Sequence, residues 1–274
     1  MISKNKIKYI RSLELKKNRN KEGKFVAEGF KVVDDLLALQ PADLIVATQE
    51  WLHDKHLADQ TEVIEVTEEE LKKVSFLQHP QQVLAVFRQD TGCNKQDSNN
   101  SQEDAEEKNF GFSKINTQEL SLALDGVQDP GNLGTIIRIA DWFGIEHIFC
   151  SSGTADVYNP KTIQATMGAI ARVKLHYCNL PDFLKSASQK NTPIFGTFLD
   201  GENIYTQELP ANGIIIMGNE GNGISKQIAE MVTHRILIPN YPQGCETSES
   251  LNVAVATAIV CAEFRRRTAW ASSL

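Results

Sequence analysis

Long apolar runs are missing from this chain of 274 residues. A membrane-spanning helix needs about 20 consecutive apolar residues, and no stretch of that kind occurs. The first thirty residues are rich in lysine and contain no apolar signal core. We therefore expect a cytoplasmic protein with enough apolar content to bury the cores of two domains.

Cysteine motifs are missing as well. The five cysteines form no C-x-x-C pair and have no histidine at metal-ligand spacing, which argues against a zinc site and against a disulfide framework. We predict reduced, mostly buried thiols and no metal. Cys245 lies in a loop that is a candidate for the active site, but no adjacent histidine is present to activate it as a nucleophile.

Neither common nucleotide-binding motif is present. The loop GNEGNG at 218–223 has the order G-x-x-G-x-G instead of G-x-G-x-x-G, and it comes late in the chain. No Gly-Lys-Ser/Thr follows it, so it is not a phosphate loop. A nicotinamide-dependent oxidoreductase is therefore disfavoured. The loop instead predicts a backbone that approaches a flat ligand closely, with the carboxylate of Glu220 held in it.

Positive charge is scarce overall but concentrated at the N-terminus. The formal net charge is -7, yet residues 4–24 form a basic arm that is opposed only by Glu14 and Glu22. Its basic residues are Lys4, Lys6, Lys8, Arg11, Lys16, Lys17, Arg19, Lys21 and Lys24. This density predicts attraction to nucleic-acid phosphate. The triplet at 265–267 ends the last predicted helix, where cations favour the helix dipole, so a structural role is preferred there.

The sequence divides into two α/β domains, 1–90 and 118–274. The segment 91–117 is polar, acidic and nearly free of aliphatic residues, which predicts a flexible linker. In the first domain a basic helix ending near Gly23 precedes four short strands that alternate with helices, and Thr67 and Glu70 form a capping box.

Six strongly apolar strands in the second domain predict a parallel sheet that is covered on both faces. Ligands of such sheets bind beyond the carboxyl ends of the strands. Three predicted strand ends are followed by unusual loops, DGVQDPGNLG, GNEGNG and PNYPQGCETSES. These loops are the candidate site.

In the first loop, Asn132 is expected to cap the following helix, with Gly131 and Gly134 permitting the turn. Arg138 lies off the apolar stripe of that helix. Helical side chains lean toward the helix N-terminus. Arg138 is therefore predicted to cross Gly134 and reach the loop around Asn132.

The third loop leads into a helix rich in Ala and Val that is apolar on nearly all sides, which predicts a buried helix open to a close neighbour, including one from a second subunit. Ser248 or Ser250 is the expected N-cap. Asn252 is harder to explain structurally, because an amide in the first turn of a buried helix needs a partner.

Together, N-L-G-x-x-x-R at 132–138, M-G-N-E-G-x-G at 217–223, and I-P at 238–239 with S-L-N-V at 250–253 resemble the three motifs of the SpoU (TrmH) family of RNA ribose 2'-O-methyltransferases, in the SPOUT superfamily. The resemblance implies an α/β domain with a deep trefoil knot, a homodimer, and S-adenosylmethionine as cofactor. The first domain, with its FVAEG run, resembles the small ribosomal-protein-like RNA-binding domain that many members carry.

The resemblance also implies roles for individual residues. The catalytic set would be Arg138, Asn132, Glu220, Ser250 and Asn252. The cofactor would lie against Leu199, Met217, Gly218, Gly221, Ile238, Pro239 and Leu251. The segment 240–249 is longer than the family pattern, which leaves the placement of that loop and any role of Ser248 open.

The predicted activity is S-adenosylmethionine-dependent methylation of a ribose 2'-hydroxyl, with ribosomal RNA favoured over transfer RNA because of the appended domain. A catalytically silent RNA-binding relative is the alternative from another class. Arginine is too basic to accept a proton easily, so Arg138 is expected to act by electrostatics and orientation, directly or through a substrate phosphate that serves as the base.

Overall fold

The computed structural model describes residues 2–53, 55–90, 118–242, 245 and 248–269. The predicted linker at 91–117 lies outside the described residues. The chain forms two compact units. The described parts of the first are 2–53, 55–90, 133–138 and 156–172, and those of the second are 118–132, 139–155, 173–242, 245 and 248–269.

The N-terminal part of the chain alternates helices and strands as predicted. In chain order its elements are α1 (Lys4–Ser12), α2 (Lys16–Glu22), β1 (Lys24–Glu28), α3 (Phe30–Leu37), β2 (Leu44–Ala47), α4 (Gln49–Leu52), β3 (Glu62–Glu65), α5 (Glu68–Val74) and β4 (Val83–Arg88). The strands form one mixed sheet in the order β1-β4-β2-β3, in which β2 and β3 are parallel and the other neighbours antiparallel.

The prediction of a single basic helix at the N-terminus is wrong, because the chain turns between α1 and α2. Leu13 in this turn is fully buried, and burying its side chain directs the chain away from the α1 axis. The predicted end at Gly23 is confirmed, since this residue adopts a left-handed conformation with φ 62°. The capping box of Thr67 and Glu70 at the start of α5 is also confirmed.

The remaining elements follow after residue 117. They are β5 (Leu120–Asp125), α6 (Pro130–Trp142), β6 (His147–Cys150), α7 (Pro160–Thr166), β7 (Lys174–Tyr177), α8 (Leu180–Gln189), β8 (Ile194–Asn203), β9 (Gly213–Gly218), α9 (Lys226–Ala229), β10 (His234–Leu237) and α10 (Val253–Ala269), with short 3₁₀ turns at Ala169–Ala171 and Ile204–Thr206. No helix among the described residues is long and apolar enough to cross a membrane.

The predicted parallel sheet is confirmed. Six strands lie in the order β10-β8-β9-β5-β6-β7, and every neighbouring pair is parallel. The chain places β6 and β7 on one side of β5 and β9 on the other. The loops that follow β5 and β9 therefore flank the point where the strand order reverses, which is the usual ligand site of an open parallel sheet.

Candidate active site

The loops after β5 and β9 are joined by hydrogen bonds at this reversal point. The Asn219 amide donates to the carbonyl of Gly126 at 2.7 Å, and the backbone N–H of Ser225 donates to the Asp125 carboxylate at 2.8 Å. Gly126 has φ 72°, a conformation that favours glycine. Sequence reasoning missed Asn219, although its place beside two glycines was a signal of a structured turn.

Glu220 binds the start of the first loop. Its carboxylate accepts hydrogen bonds from the backbone N–H groups of Gln128 at 3.2 Å and Asp129 at 3.3 Å, and from the Asn132 amide at 3.0 Å. Burial alone would raise the pKa of Glu220, but these hydrogen bonds lower it below its usual value. Glu220 is therefore an ionised acceptor that fixes the orientation of Asn132.

Asn132 is not the cap that the sequence predicted. Helix α6 begins at Pro130, and the N-cap is Asp129, whose carboxylate accepts from the backbone N–H of Asn132 at 2.8 Å. Aspartate is a strong N-cap and proline is favoured in the first turn, so this pair starts the helix earlier than predicted. The Asn132 side chain is thereby free to point at Glu220.

Asn252 completes a chain of three polar side chains. Its amide donates to the Asn132 side-chain oxygen at 3.0 Å, while its own oxygen accepts from the backbone N–H groups of Ala254 at 3.0 Å and Val255 at 3.3 Å. Asn252 thus caps α10. We call Asn252, Asn132 and Glu220 the amide–carboxylate chain.

The predicted caps of α10 at Ser248 and Ser250 are therefore wrong. Asn252 stands immediately before the first helical residue and has the acceptor that the first-turn N–H groups need. Ser250 is exposed. The expected burial of α10 on nearly all sides is also not met, because Val255 is 50% exposed.

The glycines of the first loop have a different role from the predicted one. Gly131 and Gly134 both lie within α6, so neither forms a turn. A Cβ atom on Gly134 would come within 2.5 Å of the carbonyl oxygen of Thr162 and 2.6 Å of the Ala165 Cβ, both on α7. The missing side chain accommodates α7 and does not clear a path for Arg138.

Arg138 is exposed on α6, six residues after Asn132. Its position off the apolar stripe is confirmed, since Ile137 beside it is fully buried. Among the described residues, none forms an ion pair or a hydrogen bond with its guanidinium. Arg138 is thus a cation available to an external anion.

Exposed apolar side chains lie near the ends of neighbouring strands. Between β8 and β10 the register shifts, so that residues 197–201 bulge out of the ladder. This bulge presents Leu199 with 76% of its surface exposed, and Leu251 before α10 is 48% exposed. Ile238 and Pro239, directly after β10, are half-buried. Apolar surface is therefore available to a ligand at these strand ends.

The glycine loop after β9 is a closed turn. A Cβ on Gly218 would lie 2.2 Å from the backbone of Gly223, so only glycine fits there. The N–H of Gly221 donates to the Asn219 side chain at 2.9 Å. Met217 at the end of β9 is only 2% exposed. The loop therefore presents backbone to its surroundings, as the sequence predicted.

No group of acidic, histidine or cysteine residues in the described part of the chain could hold a metal ion. Cys245 is exposed, and its backbone N–H donates to the carbonyl of Pro242 at 3.2 Å. Residues 243, 244, 246 and 247 lie outside the described residues. The role of the segment 240–249 stays a prediction.

These features define an α/β protein with a parallel sheet and a candidate ligand site at its carboxyl edge, where three loops supply amides, one carboxylate and exposed apolar groups. The chain belongs to the SpoU rRNA Methylase family, whose model matches residues 119–262. The family predicted from the three motifs is thereby confirmed. Residues 4–85 match a second model, the MRM3-like substrate binding domain.

Relatives match over nearly the whole chain. The 23S rRNA (guanosine(2553)-2'-O)-methyltransferase RlmP of Bacillus subtilis is 31% identical over 264 residues, which cover 95% of this chain and 96% of that protein. A TrmH-family structure from Porphyromonas gingivalis is 38% identical with a TM-score of 0.82, covering 98% of this chain and 100% of that one. An rRNA methyltransferase from Sinorhizobium meliloti, solved with AdoMet bound, is 30% identical with a TM-score of 0.80, covering 98% of this chain and 97% of that one.

Proposed function

We propose that this protein transfers the methyl group of S-adenosylmethionine to a ribose 2'-hydroxyl of ribosomal RNA. Family membership supports this, as do the names of its relatives, one of which is a 23S rRNA 2'-O-methyltransferase and another an rRNA methyltransferase solved with AdoMet. The observation that carries the proposal is the amide–carboxylate chain. It joins side chains from all three sequence motifs at one edge of the sheet.

The chemistry explains why these residue types are needed. Methyl transfer to a hydroxyl is an in-line displacement, so positioning the alcohol supplies much of the acceleration. We assign Arg138 to stabilise the developing alkoxide or to bind the phosphate beside the target ribose, because its exposed guanidinium has no partner among the described residues. We assign Asn132, Glu220, Ser250 and Asn252 to shape the site around the ribose.

The apolar groups at the strand ends fit the cofactor. S-adenosylmethionine supplies an activated methyl group on a sulfonium, next to a flat adenine and an alkyl chain. Exposed Leu199 and Leu251 offer surface for such apolar parts, and the glycine turn offers backbone polar groups without side chains to block approach. The residues that we propose to hold the cofactor are Leu199, Met217, Gly218, Gly221, Ile238, Pro239 and Leu251.

RNA affinity is proposed to come mainly from the basic arm, with one correction. Arg19 is 1% exposed and forms an ion pair inside the protein, so it is not an RNA contact. Lys6 and Lys24 pair with Glu62 and Asp43. The exposed lysines available to phosphate are Lys4, Lys8, Lys16, Lys17 and Lys21.

We further propose the knotted arrangement and the homodimer that the family implies. An exposed aromatic side chain near α10 supports the dimer. Arg265 on α10 donates to the carbonyl of Phe143 at 2.7 Å and to that of Gly144 at 2.9 Å, so α10 lies beside the end of α6. Trp142, at that end, is 84% exposed. A Trp142→Glu variant is expected to sediment as a monomer if this surface pairs two copies.

The activity is tested by methyl transfer from S-adenosylmethionine labelled with tritium in the methyl group. Ribosomal RNA that lacks its own ribose methylation is the substrate, and transfer RNA is assayed in parallel. A 2'-O-methyl group removes the nucleophile of alkaline cleavage, so the label should be recovered in alkali-stable dinucleotides of ribosomal RNA.

Label in mononucleotides would mean base methylation and would contradict the ribose assignment. Label in transfer RNA alone would show that the substrate is transfer RNA and not ribosomal RNA. A catalytically silent relative would incorporate no label, and calorimetry would show RNA binding but no heat with S-adenosylmethionine.

A further inference from the structure

A buried ion pair connects the N-terminal helices to the segment before α7. The Arg19 guanidinium lies 2.6 Å from the Asp156 carboxylate, with side-chain exposures of 1% and 12%. The same guanidinium donates to the carbonyls of Leu13 at 2.9 Å and Glu14 at 2.6 Å. A desolvated pair with this many hydrogen bonds tolerates little displacement, because any shift leaves a buried charge unpaired.

Asp156 also organises the start of α7. Its side chain accepts from the N–H of Tyr158 at 3.0 Å, and its carbonyl accepts from the Thr162 hydroxyl at 3.0 Å. The Tyr158 ring packs on Phe25 of β1 at 4.7 Å between centroids, and its hydroxyl accepts from the N–H of Asp90 at 2.9 Å. Helix α7 is thus fastened to the N-terminal domain at several points.

Helix α7 in turn sets the position of α6. The two backbones touch at Gly134, where no side chain lies between them to absorb a shift. Residues 133–138 of α6 accordingly belong to the same compact unit as 156–172 and the N-terminal domain. Asn132 precedes this stretch directly, and Arg138 is its last residue.

We propose that Arg19 and Asp156 are positioning residues for methyl transfer: their ion pair fixes α7, and α7 fixes the part of α6 that carries Arg138 and follows Asn132. This inference rests on the proposed function. It assigns to Arg19, a member of the basic arm, a role in the rate of transfer that is separate from RNA affinity.

The test removes both charges at once. Replacing one partner alone would leave a buried charge and destabilise the fold, whereas an apolar pair of similar size is tolerated. The main variant is therefore Arg19→Met with Asp156→Leu, compared with Arg19→Lys, which retains the charge. The control is Lys55→Met with Asp34→Leu, which removes a more exposed ion pair of 2.7 Å from the same domain.

In the main variant we expect kcat to fall about 10- to 100-fold, with KM for RNA within about twofold of wild type. The melting temperature should fall, because the carbonyls of Leu13 and Glu14 and the N–H of Tyr158 lose their partners, so the rates are measured well below it. Arg19→Lys should recover part of kcat, and the control should leave both constants unchanged. A folded main variant with wild-type kcat would overturn the proposal. So would a rise in KM alone, which would make the pair an RNA contact.

Hydrogen–deuterium exchange separates this inference from the proposed function. In the full-length main variant, amides of residues 130–142 should exchange faster than in wild type, while those of β9 stay protected. If wild type transfers no methyl group, the proposed function fails but this exchange result still decides whether the pair holds α6. Unchanged exchange at 130–142 would contradict the positioning role.

Discussion

Two glutamates, Glu28 at the end of β1 and Glu220 just after β9, hold neighbouring loops in similar ways and differ in burial. Glu28 is 6% exposed and accepts from the Ser75 hydroxyl and from the N–H of Phe76 at 2.8 Å. Glu220 is exposed and accepts from two backbone N–H groups and an amide.

The two carboxyl groups have opposite pKa shifts. Burial raises the pKa of Glu28, and its hydrogen bonds offset this only in part. For Glu220 the hydrogen bonds outweigh burial and lower the pKa. A closed polar cluster therefore stabilises the fold at the cost of burying charge. An open one keeps its charge, and its partner Asn132 stays accessible to a ligand.

The first compact unit contains exposed charges as well as the buried Glu28. These are the exposed lysines of the basic arm. Replacing Lys4, Lys8, Lys16, Lys17 and Lys21 with Gln should weaken RNA binding by up to about 1,000-fold at 0.1 M salt and flatten the salt dependence. Filter binding across a salt series measures both. An unchanged slope would place the phosphate contacts elsewhere.

Removing Glu220 should affect activity and leave stability nearly intact. Glu220→Ala frees Asn132 and the start of α6, so methyl transfer should fall by about 100-fold. The melting temperature should change little, because the carboxylate is exposed. A large loss of stability with normal transfer by the remaining folded protein would contradict this. It would show that Glu220, like Glu28, stabilises the fold and has no role in transfer.

Two variants of Asn252 separate its role as the cap of α10 from its role in orienting Asn132. Asn252→Ser keeps a capping oxygen for α10 but is too short to replace the amide N–H that reaches Asn132, so transfer should fall about tenfold with stability near wild type. Asn252→Ala should lower transfer similarly and also cost about 1 kcal/mol through the lost cap. If Asn252→Ser transferred at the wild-type rate, the amide contact to Asn132 would have no catalytic consequence.

Changes at Glu28 should affect stability alone. Glu28→Ala leaves Ser75 and the N–H of Phe76 without their acceptor and should cost about 2 kcal/mol. Glu28→Gln, without the charge, can still accept from the N–H of Phe76 with its amide oxygen, while its amide N–H donates to the Ser75 hydroxyl. Urea unfolding of each variant, together with its transfer rate, checks the assignment. Loss of transfer in folded Glu28→Gln would contradict it.

The pH dependence gives the smallest effect. Because the pKa of Glu28 is raised in the fold, the folded state favours its protonated form, so stability falls as pH rises from the ordinary glutamate pKa of about 4.3 through the raised value. Wild type should therefore lose stability relative to Glu28→Gln as pH rises. Glu220, with its lowered pKa, loses its contribution only as pH falls. A constant difference between wild type and Glu28→Gln would show that Glu28 is not strained by burial.

Local patterns in the sequence predicted much of this molecule. Apolar runs identified the six parallel strands, and the rule that ligands bind beyond the carboxyl ends of such strands singled out three loops, which is where Asn132, Glu220 and Asn252 meet. The Thr67 capping box followed from its short spacing. These features depend on residues close in sequence or on a general rule of parallel sheets.

Contacts between distant segments escaped prediction. The role of Gly134 depends on α7, almost thirty residues later, and the burial of Arg19 depends on Asp156, 137 residues away. Asp129 was overlooked as a cap because Asn132 is also a good one, and only the observed hydrogen bond distinguishes them. Spacing alone does not encode such pairings.

The central claim is that Arg138 acts at an open site whose geometry the amide–carboxylate chain fixes. Single-turnover methyl transfer to ribosomal RNA, with cofactor binding measured by calorimetry, tests it in wild type, Arg138→Lys and Arg138→Ala. We predict a rate at least about 100-fold lower for Arg138→Ala, an intermediate rate for Arg138→Lys, and unchanged S-adenosylmethionine affinity in both. Transfer by Arg138→Ala at the wild-type rate would contradict the account.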